Sequence, residues 1–321
     1  MEKLMKAVLL DRPTKAEDVI LKDVPIPEVK PGWVLVKVRS FGMNHSEQIL
    51  REFEIENDYI QKPIIPGIEC VGEIADPSDS GLVKGQKVCA LMGGMGRSFN
   101  GSYAEYALLP DHHVFPVSSE LDWAEMAAVP ETYYTAWGSL FQCLRLKSSD
   151  KLLVRGATCA LGYAAIQIAR AIGCTVVGTT HREAKLQLLQ QAGCDECILD
   201  SGSLKGKVEG VDKALELIGI KTVKDTMMNM EQGGIVCNTG VLGRVYEWNH
   251  FDPIKDIPNG VFLSGFYSNF PAQSIMHDIY AFLDEHHLKP LIGAVYSFDN
   301  IREACIALDS GQVNGKIVIR I

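Results

Sequence analysis

The stretch KLLVRGATCALGYAAIQIARAIGCTVVGTTHREAK, residues 151–185, decides the fold class of this chain. Residues 151–154 form a short apolar run of the kind found in buried strands, and the small residues GATCALG (156–162) end it. Apolar residues then recur at spacings of three and four through residues 164–172, which predicts a helix with one buried side. A second apolar run follows at residues 175–177. The order strand, small-residue turn, helix, strand predicts a βαβ unit of a parallel sheet.

The loop between the first strand and the helix has the composition of a dinucleotide-binding turn. Small residues let the backbone approach a ligand, and the N–H groups that open the helix favour an anion such as a pyrophosphate. The full G-x-G-x-x-G pattern is not present, because Gly156 and Gly162 remain while Cys159 and Ala160 stand where further glycines could be. The loop therefore favours dinucleotide binding, and a βαβ unit without a cofactor is the alternative.

Two cations after the second strand indicate which dinucleotide is bound. An NAD site usually carries an acidic residue about 20 positions beyond the loop glycines, where it holds the ribose hydroxyl. Here the strand ends in GTTH (178–181), without a carboxylate. Arg182 and Lys185 follow, three apart in the first turn of the next helix, so both can face one ribose 2'-phosphate. This spacing favours NADPH, and two cations on a solvated helix face are the alternative.

Length, charge and cysteine usage restrict the class of protein. A chain of 321 residues is long enough for about two domains. The net charge of −9 argues against a nucleic-acid surface. The apolar runs are too short to span a bilayer, and the N-terminal MEKLMKAVLLD lacks signal-peptide architecture. The nine scattered cysteines suit reduced thiols. We therefore expect a cytoplasmic protein with neither a nucleic acid nor a membrane as partner.

The first third of the chain has a different pattern from the rest. Short apolar runs cut by glycine and proline predict a compact, mostly β domain with a short helix near residues 47–51. Ser119 and Asp122 form a capping pattern for a helix through residue 128, and a second helix is expected over residues 132–144. The expected strands are residues 7–10, 34–38, 71–74, 87–91 and 103–108.

Strands and helices alternate from residue 151 onward, which predicts a doubly wound parallel sheet. Beyond this alternation, helices are expected over residues 274–286 and 301–308, followed by a closing strand over residues 316–321. Within the alternating region itself, further strands are expected over residues 197–199, 213–218, 235–238 and 261–266, with helices over residues 183–192 and 222–230.

Motifs across nearly the whole chain point to one family. They are PGWVLVKV (31–38), PIIPGIECVGEI (63–74), GSYAEYALLP (101–110), the cofactor loop, QQAGCDECILD (190–200), GGIVCNTGVLG (233–243) and GKIVIRI (315–321). In this order they resemble the medium-chain dehydrogenase/reductase superfamily, in its zinc-independent quinone oxidoreductase (zeta-crystallin-like) branch. The resemblance implies an α/β fold class: a GroES-like β-rich catalytic domain at residues 1–125 and 268–321, and a Rossmann doubly wound parallel-sheet domain that binds NADPH at residues 126–267.

The resemblance also addresses metal binding. Zinc alcohol dehydrogenases that resemble this chain would have a cysteine at Asn44, a histidine at Ile68 and another cysteine near Glu131. Ile68 has no ligand atom, and zinc prefers thiolate, imidazole or carboxylate ligands to an amide. The four-cysteine lobe that many relatives insert is missing, since residues 91–103 contain no cysteine. We therefore expect no metal, and a zinc alcohol dehydrogenase with unusual ligands is a less favoured alternative.

Without a metal, the resemblance implies hydride transfer from NADPH to an electron-poor acceptor, a quinone or an α,β-unsaturated carbonyl. It places Asn44 and Thr135 at the nicotinamide, and His45 and Tyr133 are candidate proton donors, with Glu47, Tyr134 and solvent as alternatives. The residues implied in cofactor binding are Asn44, Thr135, Gly156, Ala157, Thr158, Cys159, Ala160, Leu161, Thr179, Arg182, Lys185, Thr239, Gly240, Val241, Leu263, Gly265, Phe266 and Asn314.

Some positions depart from this branch. Ile49 and Ile55 stand near tyrosines that flank the substrate in bacterial relatives, and Asp200 replaces a tyrosine that helps to hold the 2'-phosphate. These departures leave open a second hypothesis, a cofactor-binding protein whose catalysis is weak or lost and whose role is structural or regulatory. Relatives commonly dimerise through the strand at residues 261–266, so we expect a homodimer through that edge.

Overall fold

The structure is a computed structural model that describes residues 3–321. Its strands are β1 (Leu4–Val8), β2 (Leu21–Pro25), β3 (Trp33–Met43), β4 (Glu69–Asp76), β5 (Lys87–Leu91), β6 (Tyr106–Pro110), β7 (Val114–Pro116), β8 (Lys151–Arg155), β9 (Thr175–Thr180), β10 (Glu196–Leu199), β11 (Lys213–Glu216), β12 (Ile235–Asn238), β13 (Phe262–Gly265), β14 (Ile292–Ser297) and β15 (Lys316–Arg320). Its α-helices are α1 (His45–Glu52), α2 (Trp123–Ala127), α3 (Pro130–Trp137), α4 (Ala160–Ala171), α5 (Leu186–Gln191), α6 (Ile220–Met228), α7 (Pro253–Asp256), α8 (Gln273–Glu285) and α9 (Ile301–Ser310).

The chain divides into two compact units. The first unit comprises the described residues up to Tyr134 together with Asn269–Ile321, and the second unit is Thr135–Ser268. We predicted from the sequence that the second domain would begin at residue 126. The difference arises because α2 packs against β3, β4 and β15, and because Glu131 and Thr132 at the start of α3 are bonded to Glu69 and Lys316, all within the first unit.

The first unit is built on a mostly antiparallel sheet. Its seven strands include the path β14-β15-β3-β4-β5-β7, with β6 pairing to β3, and β1 and β2 form a separate two-stranded sheet. Apolar side chains such as Val36, Phe41 and Ile74 form its buried core. The predicted β-rich domain is confirmed, although β2, β7 and β14 were not among the strands predicted from the sequence.

The second unit contains a six-stranded parallel sheet in the order β10-β9-β8-β11-β12-β13. This order is that of a doubly wound Rossmann sheet, so the predicted α/β architecture is confirmed. Leu153, Val177, Ala214 and Val236 form part of its core. Ligands of such sheets bind outside the carboxyl ends of the strands, where the loops after β8 and β9 lie.

Strand β13 forms one edge of this sheet. Phe262 on this strand has 60% of its surface exposed, so an apolar side chain stands at an edge that another strand could cover. The strand that the resemblance implies as an edge is an edge of the sheet, and pairing of two copies across it stays a prediction.

Two predicted helices have a different form in the structure. The helix expected over residues 183–192 is a 3₁₀ turn (Glu183–Lys185) followed by the short α5. The helix expected over residues 132–144 begins at Pro130 and widens after Trp137 into a π-helical turn, Gly138–Cys143. In the described part of the chain, no helix combines the length and the apolar character that crossing a membrane needs.

Candidate functional site

The predicted site residues divide between the two units. Asn44, His45, Tyr133 and Asn314 lie in the first unit. The second unit contains Thr135, Gly156, Ala157, Thr158, Cys159, Ala160, Leu161, Thr179, Arg182, Lys185, Thr239, Gly240, Val241, Leu263, Gly265 and Phe266.

The loop after β8 is shaped by two glycines. Gly156 has a φ of +81°, a left-handed conformation that glycine adopts without steric cost. Gly162, in the first turn of α4, packs against the backbone of Ala157, and a Cβ added to it would overlap the Ala157 carbonyl oxygen. The loop therefore packs this closely on the helix only because residue 162 has no side chain. Such packing is what a dinucleotide-binding turn requires.

Strand β9 holds the loop in place. The Gly156 N–H donates to Thr179 Oγ1 at 3.0 Å, and the Ala157 N–H donates to the Thr179 carbonyl oxygen at 2.9 Å. Cys159 caps α4, its Sγ accepting from the Gly162 N–H at 3.4 Å. Thr179 is fully buried, so its observed role is to position the loop.

Arg182 and Lys185 lie close to each other and to this loop. Partial burial and the nearby Arg182 guanidinium lower the pKa of Lys185, and the Cys159 thiol has a smaller, opposite effect. The Arg182 N–H donates to Thr180 Oγ1 at 3.2 Å, and Thr180 Oγ1 lies 3.3 Å from Thr158 Oγ1 in the loop. An anion bound by both cations would relieve their mutual repulsion.

Ser139 connects Thr135 and Thr239, two residues that we predicted to bind the cofactor. Ser139 Oγ donates to the Thr135 carbonyl oxygen at 2.7 Å and lies 2.9 Å from Thr239 Oγ1. Because a hydroxyl has one proton, Thr239 is then the donor to Ser139. Cys237 Sγ, 3.2 Å from Thr239 Oγ1, extends the chain of contacts. The second unit thus fixes the Thr239 hydroxyl relative to α3.

Several other residues implied in cofactor binding lie after β12 and along β13. Gly240 packs against the backbone of Leu217, where a side chain would not fit. The Phe266 ring covers Gly138 so closely that a Cβ on Gly138 would overlap it, which places the π-helical turn directly against this ring. Val241, Leu263 and Gly265 complete this set of residues.

Asn44 is half-buried and belongs to a hydrogen-bonded cluster, the asparagine cluster, formed with the buried residues Glu69, Thr132 and Lys316. Asn44 Nδ2 donates to Glu69 Oε1 at 2.8 Å. Lys316 Nζ donates to Asn44 Oδ1 at 2.5 Å and to Thr132 Oγ1 at 3.0 Å, and it pairs with Glu69 Oε1 at 2.6 Å. The Lys316 side chain is 3% exposed and that of Glu69 is fully buried. The carboxylate and the ammonium fix the amide orientation, because one accepts and the other donates.

The three positions that the resemblance associates with zinc are brought together around this cluster. Both oxygens of Glu47 accept backbone N–H bonds, one from Asn44 at 2.7 Å and one from Ile68 at 3.0 Å. The Glu131 N–H donates to Glu69 Oε2 at 2.8 Å. Burial raises the pKa of Glu47, yet its two backbone contacts assign it a positioning role. Across residues 3–321, no group of three or more His, Cys, Asp or Glu side chains could hold a metal ion.

The candidate proton donors differ in accessibility. His45 is exposed, and its Nδ1 lies 3.0 Å from Gln48 Oε1. Tyr133 is only 2% exposed, and burial raises its pKa. Tyr134 donates to the Phe270 carbonyl oxygen at 2.8 Å. Of the two predicted donors, His45 is the one that solvent reaches.

A buried guanidinium lies at the carboxyl end of β8. Arg155 is fully buried, and its Nε and Nη2 donate to the two oxygens of Asp200 at 2.8 and 3.1 Å. Its Nη1 donates to Asp225 Oδ2 at 2.8 Å. Burial by itself would raise the pKa of Asp200, but hydrogen bonds from Arg155 and the Gly202 N–H outweigh it and hold that pKa below its usual value.

The lowered pKa of Asp200 predicts a pH-dependent contribution to stability. A carboxylate whose pKa is depressed by folding stabilises the fold above its unfolded pKa of about 3.9 and loses that effect as pH falls. The difference in melting temperature between the wild type and Asp200→Asn should therefore be largest near neutral pH and shrink below about pH 4. Thermal unfolding across this range measures it, and a difference that does not change with pH would contradict the assignment.

The sequence analysis did not identify Ser139, Glu69, Lys316 or Arg155. Three of them are charges inside apolar strand motifs, PGIECVGEI, GKIVIRI and KLLVRG, and charged residues are seldom buried unless they are paired. That signal was available. Ser139 lies four residues after Thr135, one helical turn away, and its contact with Thr239 required the fold.

Comparisons with known proteins agree with this geometry. Residues 30–119 match the alcohol dehydrogenase GroES-like domain, and residues 160–274 match the zinc-binding dehydrogenase family. The chain is 28% identical over 333 residues to the human quinone oxidoreductase, covering 99% of this chain and 98% of the relative.

Two solved structures share the fold over nearly their whole length. One is the quinone oxidoreductase from Coxiella burnetii, with a TM-score of 0.85, 22% identity and coverage of 99% of this chain and 100% of that one. The other is a thermostable alcohol dehydrogenase from Pyrobaculum aerophilum, with a TM-score of 0.85, 23% identity and the same coverage. At these identities the likeness shows the fold alone.

The family, in contrast, follows from the two domain matches together with the relatives that align along the entire chain. Proteins of this family are oxidoreductases that use a nicotinamide cofactor, and the residues around Gly156, Gly162 and Thr239 form the turns that such a cofactor needs. The chain belongs to the medium-chain dehydrogenase/reductase superfamily, in its quinone oxidoreductase branch.

Proposed function

We propose that the protein is a zinc-independent, NADPH-dependent reductase of quinones or α,β-unsaturated carbonyl compounds. The observation that carries the proposal is the Lys316 ammonium bonded to Asn44, at the position where zinc alcohol dehydrogenases would have a cysteine ligand. Because Lys316 is also paired with Glu69, it adds no net charge there; it holds and polarises the Asn44 amide without a metal.

The residues at this position do not fit a zinc ion. Asn44 Oδ1, its one oxygen, already accepts from Lys316, and a divalent cation at that atom would be repelled by the ammonium. Ile68 contributes only a backbone N–H, which is directed to Glu47. The proposed reaction therefore uses no metal at this position. Elemental analysis should find fewer than about 0.1 zinc per chain, since protein zinc sites hold their metal tightly.

Asn44 is suited to bind an acceptor oxygen. One N–H of its amide is used by Glu69, and the other makes no hydrogen bond to a residue in 3–321. Lys316 withdraws electron density through Oδ1, which makes the remaining N–H a stronger donor. A carbonyl oxygen that gains negative charge during reduction would be stabilised by such a preorganised donor. The exposed His45, next in the chain, or solvent would deliver the proton.

The residues of the second unit fit a nicotinamide dinucleotide. Bound there, the cofactor would supply the hydride. The loop at residues 156–162 would cradle its pyrophosphate at the start of α4, and the Thr239 hydroxyl is held in one orientation by Ser139. Arg182 and Lys185 favour a cofactor with a 2'-phosphate, because Arg182 lies near enough to lower the pKa of Lys185.

Oxidation of NADPH, followed against a panel of quinones and alkenals, tests the reaction. We expect turnover with at least one electron-poor acceptor and much less with simple ketones, which need a stronger electrophile to polarise them. Absence of turnover above buffer with every acceptor would overturn the proposal. Tight NADPH binding in calorimetry without turnover would instead support a binding protein, the role that the isoleucines at positions 49 and 55 first suggested.

Arg182→Ala combined with Lys185→Ala should raise the KM for NADPH at least about tenfold, because a charge-assisted hydrogen bond to the 2'-phosphate is lost. The KM for NADH should stay nearly unchanged, since NADH has no 2'-phosphate. Lys205→Ala is a matched control, because this lysine is an exposed cation of the same unit on the loop after β10. An equal loss with both cofactors would show that the two cations do not bind a 2'-phosphate.

A further inference from the structure

Arg155 has no part in the chemistry described so far, yet it lies directly before the dinucleotide-binding loop. Its guanidinium is fully buried, and it contacts Asp200 through two parallel N–H···O bonds. This two-point geometry is the one in which arginine pairs most strongly with a carboxylate. Arg155 also donates to Asp225 on α6 and to the Gly202 carbonyl oxygen at 3.2 Å. The planar guanidinium therefore donates to several acceptors at once, in a geometry that a lysine ammonium could not reproduce.

Asp200 lies beside the residues that we propose to hold the 2'-phosphate. The Asp200 N–H donates to the Thr180 carbonyl oxygen at 2.8 Å, while Thr180 Oγ1 accepts from the Arg182 N–H at 3.2 Å. Thr180 therefore connects Asp200, at the end of β10, to Arg182, where the segment with the two cations begins. An unpaired carboxylate at this place would repel a phosphate bound by Arg182 and Lys185.

We propose that Arg155 is a specificity-determining residue for the cofactor: by neutralising Asp200, it allows a 2'-phosphate to bind at Arg182 and Lys185. This inference rests on the proposed NADPH-dependent function. Arg155 acts through Asp200 and not by touching the phosphate, because its donors are directed to Asp200, Asp225 and neighbouring oxygens.

The Arg155 guanidinium is the positive charge that balances a group of nearby carboxylates. Three carboxylates, those of Asp200, Asp225 and Glu216, are held near this one guanidinium. All three also have other donors: Asp200 accepts from the Gly202 N–H at 2.8 Å, Asp225 from the Leu204 N–H at 2.9 Å, and Glu216 from Thr226 Oγ1 at 2.5 Å. These bonds remain when Arg155 is replaced by a neutral side chain. Of the three, Asp200 is bonded through its backbone to Thr180, which also binds the Arg182 N–H, so its uncompensated charge would repel a phosphate at Arg182 most strongly.

A charge series at this pair tests the proposal. The probes are AMP and adenosine 2',5'-bisphosphate, which differ by the 2'-phosphate alone and need no hydride transfer. Their dissociation constants are measured by calorimetry, and their ratio reports the preference for the phosphate. We expect Arg155→Gln to reduce this preference about tenfold and Asp200→Asn to increase it about threefold, because the charge of the Arg155–Asp200 pair changes from 0 to −1 and to +1. The double variant restores a pair charge of 0 and should return the preference to the wild-type value.

Asp225→Asn is the matched control, because it removes an equally close partner of Arg155 that lies on α6 and not at the end of β10. It should change the preference less than Asp200→Asn does. A preference that is the same in Arg155→Gln as in the wild type would overturn the inference, as would a double variant that fails to restore it. If Arg155→Gln does not fold, an unchanged preference in Asp200→Asn overturns it independently.

The two proposals can fail separately. A wild-type protein that binds both probes equally well would overturn the NADPH assignment and this inference with it. A wild type that prefers the bisphosphate, loses that preference in the Arg182→Ala, Lys185→Ala variant and yet shows no dependence on the charge at Arg155 and Asp200 would overturn the inference alone.

Discussion

Replacing Lys316 by methionine is expected to lower the free energy of unfolding by about 3–5 kcal/mol, the usual cost of breaking a buried ion pair by removing one partner. Lys316 is bonded to Asn44, Glu69 and Thr132, and its loss would leave the fully buried Glu69 carboxylate without a cation. Urea unfolding followed by tryptophan fluorescence measures the effect, with Trp33 and Trp123 reporting on the first unit.

Lys289→Met is the matched control, since the Lys289–Glu125 pair has nearly the same length, 2.7 Å against 2.6 Å, but an exposed lysine. Its loss should barely change stability, because exposed pairs contribute little. Combining Lys316→Met with Glu69→Gln should recover much of the loss by removing the stranded charge. If Lys316→Met destabilised the chain no more than Lys289→Met does, the cluster would not be a buried ion pair in solution.

Gly162→Ala is expected to weaken NADPH binding about 100-fold, since a displacement near 1 Å in a positioning element can cost this much. A Cβ at residue 162 would overlap the Ala157 carbonyl oxygen and lie 2.7 Å from Ala157 C and Cα, so the loop backbone would have to move away from α4. The N–H groups at the start of the helix would then no longer be aligned with a bound pyrophosphate. Calorimetric titration with NADPH measures the loss.

Gly81→Ala is the control for this substitution. A Cβ at Gly81 meets nothing within 4 Å, so binding and stability should both stay at the wild-type level. Gly162→Ala with an NADPH affinity within about threefold of the wild type would indicate that the loop tolerates displacement, contrary to the close-packing requirement of such turns.

The local sequence pattern predicted secondary structure reliably where a helix or strand is buried on one face or on all sides. Strand β12 has the predicted bounds, and β8, α4 and β9 follow one another as the stretch at residues 151–185 indicates. Continuous apolar runs between glycines leave few alternatives to a buried parallel strand. Asp122 caps α2 as its spacing from the helix predicts, accepting N–H bonds from Ala124 and Glu125.

Pattern was a poor guide where pairing with another strand, or packing against a residue elsewhere in the chain, decides the structure. Strand β2 alternates weakly and exists because it pairs with β1, and β14 is ordered by its parallel pairing with β15. The π-helical turn after Trp137 accommodates the Phe266 ring over Gly138, a contact between residues that no local pattern relates.

The sequence by itself determined the two-domain α/β architecture, the dinucleotide-binding turn and the two cations that follow it, because strand and helix periods and small-residue turns are local properties. Only the tertiary structure decided the buried charge pairs within each unit. Asn44 and Lys316 are 272 residues apart, and Arg155 and Asp200 are 45 apart, so pairing of these side chains depends on which strands become neighbours. Burial then makes each pair indispensable, because a charge removed from water needs a partner at hydrogen-bond distance.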